Sequence, residues 1–449
     1  MPEIEVLPVG GYNEFGRNMT VVRVGDEAVI FDMGIKLDRI LIHEDAVFES
    51  LSPDDLWDMG AIPDDRVLKN LDAKVIAIVL GHGHLDHIGA VRKLARKYDA
   101  PIIGTPYTIK LVEGSAGKRP DGRPEIPNRM ISMNAGGRRQ LSDEIELEFV
   151  HMTHSIVQTA MPVLHTSEGA IVYALDYKFD NFPVIGSKPD YDRLRQIGME
   201  GCKALICESL NAHEETKTPS ESIARDMLKD YLFGLENERV GLVVTTFASH
   251  TQRIKSIIEF GESLGREVCL MGRSMEKYTS VAEEVGLIKL GKSVSMHKYG
   301  RQINRKFKDI MREGKENYLC VVTGHQGEEN ALLSRMARGE TPWKWDNKDQ
   351  VIFSARTIPN PMNEANRYVL ETKLRDKGAR IIKGAHVSGH AAREDHRELF
   401  GMLEPEHIYP AHGDIAHQSS LADLAEAHGW KLNEQVHILR NGQGHIIRD

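Results

Sequence analysis

Apolar residues in the first 35 positions come in short runs separated by glycine-rich turns, a pattern that predicts antiparallel strands. A longer apolar run, KVIAIVL at 74–80, predicts a buried strand that leads into a loop and then a helix. Two more strands are predicted over 144–152 and 169–175. Residues 36–70 and 114–140 show no regular period, so they are predicted to be irregular.

From about residue 213, apolar runs alternate with segments of helical periodicity. Buried strands are predicted over 240–246, 267–271, 319–323 and 350–353, with helices between them. Strands that alternate with helices are typical of a parallel sheet covered by helices. The middle of the chain therefore predicts an α/β domain with its own core.

Composition adds a few restrictions. The chain has 449 residues, of which 41% are hydrophobic and 27% charged, as in a soluble globular protein of two or three domains. No apolar stretch reaches the ~18 residues of a membrane span, and the N-terminal residues lack a signal-peptide core. We therefore expect a cytoplasmic protein without a membrane partner. The four cysteines form no Cys-x-x-Cys pair and are predicted to be buried thiols, neither disulfides nor zinc ligands.

The net charge of −9 argues against a protein that coats nucleic acid through bulk electrostatics. A local basic channel remains compatible with this charge. Residues 289–317 hold nine Lys or Arg against three Asp or Glu, and Arg301 and Arg305 lie there in a predicted helix. A solvated helix face is the simpler interpretation, and a face that contacts RNA is the alternative.

Candidate chemistry begins directly after the strand at 74–80, in the segment GHGHLDH. On an extended backbone His82 and His84 point to the same side, so both imidazoles can bind one metal ion. Asp86 and His87 follow where the chain turns, and they can face a second ion. Three His and one Asp within six residues are a zinc-type ligand set that packing does not readily explain. The segment therefore predicts a site for two metal ions.

Further candidate ligands lie where predicted strands end. His154 and Asp176 each follow a predicted strand, so we expect them at the same sheet edge as the first cluster. Histidines return after residue 380, at His386, His390 and His412. Because this chemistry lies on both sides of the second α/β domain, that domain is interpreted as an insertion.

These motifs resemble the metallo-β-lactamase fold in its β-CASP nuclease branch. The metal ligands of that fold match, in chain order, His82, His84, Asp86, His87, His154, Asp176 and His412. Glu208, in ICESLN, is similar to the acidic motif of the branch, and His390, in HVSGH, to its histidine at the domain border. Within the branch, the segments GGYNEFGRNMT, TTFASH and TGHQGE are similar to the ribonuclease J family in its short archaeal form.

The resemblance implies an α/β fold: an αββα sandwich of the metallo-β-lactamase type with an inserted β-CASP α/β domain. We expect residues 1–210 and 369–449 to form the sandwich and residues 211–368 to form the insertion. Two positions depart from the family pattern. Glu208 stands where bacterial relatives usually have Asp, and His325 replaces the usual Ser.

The implied function is a zinc-dependent ribonuclease that hydrolyses phosphodiesters with a hydroxide bound by two metal ions. One ion is assigned to His82, His84 and His154 and the other to Asp86, His87 and His412, with Asp176 bridging them. The predicted catalytic residues are His390, Glu208 and Asp86. His390, oriented by Glu208, is expected to protonate the departing 3′ oxygen, and a structural ion pair is the alternative for these two residues.

The expected substrate is single-stranded RNA, degraded by a 5′-to-3′ exonuclease that prefers a 5′ monophosphate. The residues predicted to bind phosphate or RNA are Ser388, Gly389, His386, Gly324, Gln326, Gly327, Arg301 and Arg305. For Ser388 an ordinary turn serine is an equally good interpretation. Family analogy also suggests a homodimer.

Three other functions stay open at this stage. An RNA endonuclease of the same branch would use the same residues. A hydrolase of the same metal fold could act on a lactam or thioester, but the inserted domain, Glu208 and His390 argue against a small substrate. An RNA-binding scaffold with an inactive site is disfavoured because every expected ligand is present.

Overall fold

The protein is described here by a computed structural model, which covers residues 2–41, 48, 50–118, 122–234, 240–358 and 361–448. Its chain divides into two compact units. The first consists of Met1–Asn181, Lys188–Thr218 and Gly389–Asp449, and the second of Phe182–Ser187 and Pro219–Ser388.

The main segment of the second unit, Pro219–Ser388, begins and ends further along the chain than the predicted 211–368, and the unit also takes in Phe182–Ser187. Residues 211–218 stay with the first unit because their backbone bonds to it, as when Thr218 N donates to the Asp395 carboxylate over 2.8 Å. At the other boundary, the strand Arg380–Lys383 pairs in parallel with Gln350–Phe353 and so completes the sheet of the second unit.

The N-terminal part of the first unit carries most of its strands. Its elements are, in chain order, β1 (Ile4–Gly10), β2 (Met19–Val24), β3 (Glu27–Phe31), α1 (Leu37–Leu41), α2 (Pro53–Asp58), β4 (Lys74–Leu80), α3 (Leu85–Ile88), α4 (Val91–Leu94), β5 (Ile102–Gly104), α5 (Pro106–Glu113), β6 (Met130–Ser132), β7 (Arg138–Gln140), β8 (Glu146–His151), β9 (Ala160–Thr166), β10 (Gly169–Ala174), α6 (Tyr191–Glu200) and β11 (Cys202–Glu208). Short 3-10 helices also form at Asp65–Asn70 and Ala95–Lys97.

The expectation of irregular structure over 36–70 and 114–140 was wrong in part. Helices α1 and α2 lie in the first segment and strands β6 and β7 in the second. Each has at most six residues, which is too short to produce a readable period, and all three residues of β7 are exposed. Residues 42–47, 49 and 119–121 of these segments lie outside the described part of the chain.

The rest of the chain follows the predicted alternation of strands and helices. The second unit contains α7 (Glu221–Phe233), β12 (Leu242–Thr245), α8 (Thr251–Ser263), β13 (Glu267–Met271), α9 (Arg273–Glu284), β14 (Val294–His297), α10 (Gly300–Glu313), β15 (Tyr318–Val322), α11 (Leu332–Arg338), β16 (Gln350–Phe353), α12 (Pro361–Asp376) and β17 (Arg380–Lys383). The chain then returns to the first unit with α13 (Arg393–Leu403), β18 (His407–Ala411), α14 (Ile415–Glu426) and β19 (His445–Ile447).

The first unit is a sandwich of two sheets. One sheet has the order β19-β1-β2-β3-β4-β5-β6 and the other β18-β11-β10-β9-β8-β7. A shared core, with Phe31 and Val79 from the first sheet and Phe149 and Tyr173 from the second, shows that the sheets pack face to face. The opposite face of the second sheet is covered by α6, α13 and α14, and α5 lies against the first sheet. The predicted αββα sandwich is confirmed.

The second unit is built on one parallel sheet with the order β14-β13-β15-β12-β16-β17. Side chains alternate across it, so Cys320 and Val322 of β15 join a core with α10, α11 and α12. Leu319 and Val321 point to the other face and pack with α7 and α8. This is the predicted inserted α/β domain. Among the described residues, no helix is long and apolar enough to cross a membrane.

Candidate metal centre

Several candidate ligands of the first unit lie where a strand ends. His82 and His84 follow β4, Asp176 follows β10 and His412 follows β18. Strands β10, β11 and β18 are neighbours and parallel, so their carboxyl ends meet at one edge of the sheet. Loops at such an edge are where side chains from distant positions in the chain can be assembled into a site.

The first group of potential ligands comprises His82, His84, His154 and Asp176, with one donor atom from each within 4.8 Å of the others. Nδ1 of His84 lies 3.1 Å from Nε2 of His82 and 3.1 Å from Nε2 of His154. Nitrogens bound tetrahedrally to zinc at about 2.0–2.1 Å would lie about 3.3 Å apart. The spacing of the three imidazoles therefore fits a single zinc-sized cation.

The second group comprises Asp86, His87, His412 and, again, Asp176. Nε2 of His87 lies 3.2 Å from Asp176 Oδ2 and 3.5 Å from Asp86 Oδ2. Nδ1 of His412 lies 3.7 Å from Asp176 Oδ1. Because Asp176 takes part in both groups and offers two oxygens, it is the one residue able to bridge two neighbouring cations.

Buried polar atoms in these groups also fit a cation. Asp176 Oδ1 and His412 Nδ1 are buried and have no hydrogen-bond partner among the described residues. Leaving such an atom unsatisfied costs about 1–3 kcal/mol. His412 also adopts a left-handed backbone conformation, with φ 48°, and strain of this kind concentrates at functional sites.

The charge states of the side chains suit metal binding. Burial lowers the pKa of His82 and His154 well below the ordinary value, and lowers that of His84 to about 4. These three imidazoles are therefore neutral at pH 7, as a ligand must be. Burial alone would raise the pKa of Asp176, but His412 and His87 together hold it well below its usual range. The bridging position is thus a carboxylate.

His87 differs from the other imidazoles. Burial alone would lower its pKa, but the carboxylates of Asp176, Asp86 and Asp32 outweigh this effect and raise the pKa well above its ordinary value. The negative field that favours a proton on His87 equally favours a divalent cation beside it. The donor set and its charge therefore both fit divalent metal ions.

Asp32 is a residue of the site that the sequence analysis missed. Its Oδ2 accepts hydrogen bonds from His87 Nδ1 over 2.7 Å and from Tyr173 Oη over 3.0 Å, and its Oδ1 accepts one from Gly81 N. The bond to Nδ1 leaves Nε2 of His87 facing Asp176 and Asp86 as the potential ligand atom. In the same way, His154 Nδ1 donates to the Gly389 carbonyl over 2.6 Å.

Glu208 and His390 form a pair at the rim of the first group. Nδ1 of His390 lies 2.8 Å from Glu208 Oε2 and 3.7 Å from Asp176 Oδ2. The Glu208 side chain is fully buried, whereas 28% of the His390 side chain is exposed. Burial alone would lower the pKa of His390, but Glu208 and then Asp176 raise it to about 9. The neighbouring carboxylates therefore favour the protonated form of this partly accessible imidazole.

The loop with Gly324, Gln326 and Gly327, which was predicted to bind phosphate, is held by contacts within the second unit. Gly324 and Gly327 have φ values of 110° and 83°, a region that favours glycine. The Gln326 side chain accepts from Ile358 N over 3.0 Å and donates to the Arg356 carbonyl over 3.2 Å. These contacts shape the loop, and they account for the two glycines and Gln326 without a ligand.

His325 points into the core of the second unit. Its ring is buried and lies edge-on to Phe247, with ring centroids 4.0 Å apart. Burial lowers the pKa of His325 to about 3, so it is neutral at pH 7. The buried His325 ring therefore contributes packing against Phe247 and no positive charge.

The remaining predicted residues lie at the end of the second unit and on α10. His386 and Ser388 belong to the second unit, and Gly389 is the first residue of the returning first unit. Burial lowers the pKa of His386 to about 2, so it provides no positive charge for a phosphate. Arg301 and Arg305 are exposed on α10.

The sandwich, its two ligand groups and the inserted parallel-sheet unit together define a metallo-β-lactamase-fold hydrolase of the β-CASP branch. Comparison with known families gives the same result. The family "Metallo-beta-lactamase superfamily" matches residues 12–179, "Ribonuclease J, beta-CASP domain" matches 237–371, and "Zn-dependent metallo-hydrolase RNA specificity domain" matches 376–435.

Similar proteins make the assignment more specific. The chain is 50% identical over 441 residues to Ribonuclease J of Methanocaldococcus jannaschii, with 98% of each chain covered. It is 49% identical over 445 residues to Ribonuclease J of Pyrococcus abyssi, with 99% of this chain and 97% of the relative covered. Ribonuclease J of Sinorhizobium meliloti is 32% identical over 98% of this chain and 74% of its own. The chain belongs to the ribonuclease J family.

One solved structure is similar to this chain in fold. The crystal structure of a protein of unknown function from Enterococcus faecalis V583 has a TM-score of 0.64 at 17% identity. The match covers 99% of this chain and 100% of that chain. At this identity the likeness concerns the architecture alone.

Proposed function

We propose that this chain is a metal-dependent ribonuclease that hydrolyses phosphodiester bonds of single-stranded RNA from the 5′ end. The observation that carries the proposal is the pair of ligand groups sharing Asp176, with the Glu208–His390 pair beside them. Membership of the ribonuclease J family supports RNA as the substrate. The charge and burial of the ligands support two divalent cations, for which zinc is the choice most consistent with His and Asp donors.

In this proposal the two ligand groups hold one cation each. His82, His84 and His154 hold the first, Asp86, His87 and His412 hold the second, and Asp176 bridges them. The bound cations would neutralise charge on the phosphate and make water a stronger nucleophile at neutral pH. Asp32 and the Gly389 carbonyl fix the orientation of His87 and His154, so the ligand nitrogens need no reorganisation on binding.

His390 is proposed as the general acid that protonates the departing 3′ oxygen. A general acid must carry its proton before the reaction, and the carboxylate of Glu208 at 2.8 Å keeps the proton on His390. Glu208 is itself held in place by the backbone N–H of Tyr177, which donates to Oε1 over 2.9 Å. Glu208 is therefore a positioning residue, and a purely structural ion pair is the alternative that kinetics must exclude.

The preference for a 5′ monophosphate is assigned to Ser388 and Gly389. Ser388 directly precedes Gly389, whose carbonyl accepts the bond from His154, so the hydroxyl belongs to a segment anchored to the ligand group. A hydroxyl and backbone N–H groups can hold a terminal phosphate. His386 and the loop with Gly324, Gln326 and Gly327 are kept as neighbouring parts of this proposal, supported only by the resemblance.

The exposed face of α10 is proposed to contact the RNA backbone. Arg301, Arg305 and Lys308 are exposed on it and enter no ion pair among the described residues. By contrast, Arg312 on the same helix lies 2.9 Å from Asp309. Three cations without an acidic partner, spaced at helical repeats, form a stripe that suits a chain of phosphates.

The experiment for the proposed polarity uses one RNA labelled at its 3′ end and carrying a 5′ monophosphate, triphosphate or hydroxyl. Release of mononucleotides from the 5′ end, fastest with the monophosphate, is expected. Internal cuts that ignore the 5′ group would show an endonuclease of the same branch and remove the role of Ser388. Ser388→Ala is expected to reduce the preference for monophosphate, with Ser420→Ala, another half-buried serine, as control.

Two further points complete the proposal. Turnover of lactam or thioester substrates without turnover of RNA would identify a different hydrolase of the same fold. The homodimer suggested by family analogy is retained, and light scattering of the purified chain tests it.

A further inference from the structure

A separate cluster of metal-ligating side chains lies in the second unit. It consists of Glu267 and Cys269 on β13 and His297 on β14, with one donor atom from each within 4.8 Å of the others. Strand β14 is the edge of the parallel sheet and β13 is its neighbour. No residue of this cluster belongs to the two ligand groups that share Asp176.

The register of the sheet explains how these side chains come together. Glu267 and Cys269 are two residues apart, so they point to the same face of β13. Strand β14 pairs in parallel with β13, with Ser295 opposite Cys269 and His297 opposite Met271. His297 therefore lies on that same face, one step further along. Cys269 is buried in the core that α10 covers.

Polar contacts hold the donor atoms in place. Ser295 Oγ donates to Glu267 Oε1 over 2.6 Å and lies 3.0 Å from His297 Nε2. Cys269 Sγ lies 3.6 Å from Ser295 Oγ and 3.8 Å from Glu267 Oε1. Lys306 of α10 places its ammonium 2.6 Å from Glu267 Oε1. The Glu267 carboxylate is therefore already paired with the ammonium group of Lys306.

A second thiol extends the donor set. Cys320 of β15 is directly opposite Cys269 in the register of β13 and β15, and both side chains belong to the same buried core. Both thiols are free. Cys320 is not in the group whose donor atoms lie within 4.8 Å of one another, so its thiol would have to move toward them to become a fourth ligand.

We propose that Glu267, Cys269 and His297 form a zinc site, with Cys320 as the fourth ligand. Sulfur, imidazole nitrogen and carboxylate oxygen are the three donor types that zinc binds in proteins, and four of them complete its tetrahedral shell. Hard cations such as Mg²⁺ and Ca²⁺ prefer sites made of oxygens. The site would tie the edge strand β14 to β13 and so stabilise the border of the sheet.

This proposal departs from the sequence prediction that the cysteines bind no zinc. Zinc ligands are usually recognised from short spacings such as Cys-x-x-Cys, whereas here they come from three different strands. The competing interpretation is a hydrogen-bond network in which Lys306 alone neutralises Glu267. Zinc binding requires Lys306 to leave the oxygen that becomes a ligand, so the two interpretations predict different metal contents.

Cobalt substitution distinguishes the site from the centre built on Asp176, because that centre contains no sulfur. The full-length chain is stripped of metal, reconstituted with Co²⁺ and followed by near-ultraviolet absorption. A thiolate-to-cobalt charge-transfer band is expected in the unchanged chain and in Asp176→Ala. The band is expected to weaken in Cys269→Ser, to disappear when Cys320→Ser is added, and to persist in Cys202→Ser, which changes another buried free thiol.

His297→Ala provides an independent variant in case Cys269→Ser fails to fold, since His297 is only half-buried on the edge strand. It is expected to weaken Co²⁺ binding at the thiolate site at least tenfold. The proposal is overturned if the folded, unchanged chain gives no thiolate band with Co²⁺ in excess. It is equally overturned if the band survives in the chain that carries both Cys269→Ser and Cys320→Ser. Both results leave the proposed ribonuclease function untouched, because neither involves Asp176 or its partners.

Discussion

Replacing Glu208 by glutamine removes the negative charge beside His390 and keeps the size of the side chain. The new amide oxygen can still accept the hydrogen bond from Tyr177 N, which Glu208 Oε1 now accepts over 2.9 Å. The amide nitrogen then replaces Oε2 beside His390 and cannot accept its proton, so both the negative charge and the hydrogen bond to Nδ1 are lost. Without the carboxylate at 2.8 Å, the pKa of His390 falls from about 9 toward its ordinary value.

The size of the effect on turnover follows from the protonated fraction of His390. With a pKa of about 9, about 97% of the imidazole is protonated at pH 7.5, compared with about 9% for a pKa near 6.5. If the protonated form is the general acid, Glu208→Gln lowers kcat roughly tenfold at pH 7.5 and more than about 100-fold at pH 9. The difference shrinks as the pH falls and the imidazole of the variant also becomes protonated.

The assay is the pH profile of kcat on 5′-monophosphorylated RNA, with metal content and thermal unfolding measured on the same samples. A cation beside Asp176 lowers the pKa of His390 in both proteins, so neither absolute pKa decides the test. The decisive quantity is the difference, in pH units, between the points at which kcat of the unchanged chain and kcat of the variant fall at alkaline pH. The expected displacement is toward lower pH in the variant. A profile reduced by the same factor at every pH, with no displacement, would refute the proposed role of the pair.

Three further perturbations test other parts of the site. His390→Ala is expected to lower kcat about 100- to 10,000-fold with its metal retained, whereas His84→Ala loses metal, and elemental analysis separates the two. Asp32→Asn, which tolerates the observed φ of 58°, is expected to weaken metal binding about 10- to 100-fold in competition with a chromophoric chelator. Arg301→Glu with Arg305→Glu is expected to weaken RNA binding and lower its salt slope by about 1.4, about 0.7 per lost contact. The control is Lys229→Glu with Lys377→Glu, which makes the same change of charge at two other exposed positions. If the α10 variant and the unchanged chain show the same salt slope, the α10 face is simply solvated.

The candidate ligands that lie close together in the sequence could be predicted from their spacing. The GHGHLDH segment brings four potential ligands together within one loop and one helical turn, so no long-range information is needed. His154 and Asp176 were predicted by another rule, because each follows an apolar strand, and His412 was assigned through the resemblance. The sandwich and its insertion were predicted from the same motifs and are confirmed.

Asp32 was missed although it shows the same pattern as Asp176, an acidic residue directly after an apolar strand. Its hydrogen bond to His87 crosses between neighbouring strands, and the strand order cannot be read from a periodicity. The close fit is visible at Gly34, where a Cβ would overlap the Asp86 carbonyl oxygen. Such contacts depend on the packed structure.

The segment GHQG was predicted as a phosphate loop, and this stays a prediction. Its glycines have the positive φ values of a turn, and Gln326 bonds within its own unit, so the structure gives these residues a role that needs no phosphate. The predicted boundary at 368 precedes β17, whose two end residues are exposed. Its place in the sheet depends on pairing with β16.

The most direct test of the account is RNA hydrolysis measured together with metal content on the same preparation. The unchanged chain is expected to hold close to two divalent ions in the groups that share Asp176, to lose turnover when a chelator removes them, and to regain it when zinc is restored. Asp176→Ala should hold neither ion there and show no turnover. Full activity of the chain in chelator, with both groups free of metal, would contradict the central claim.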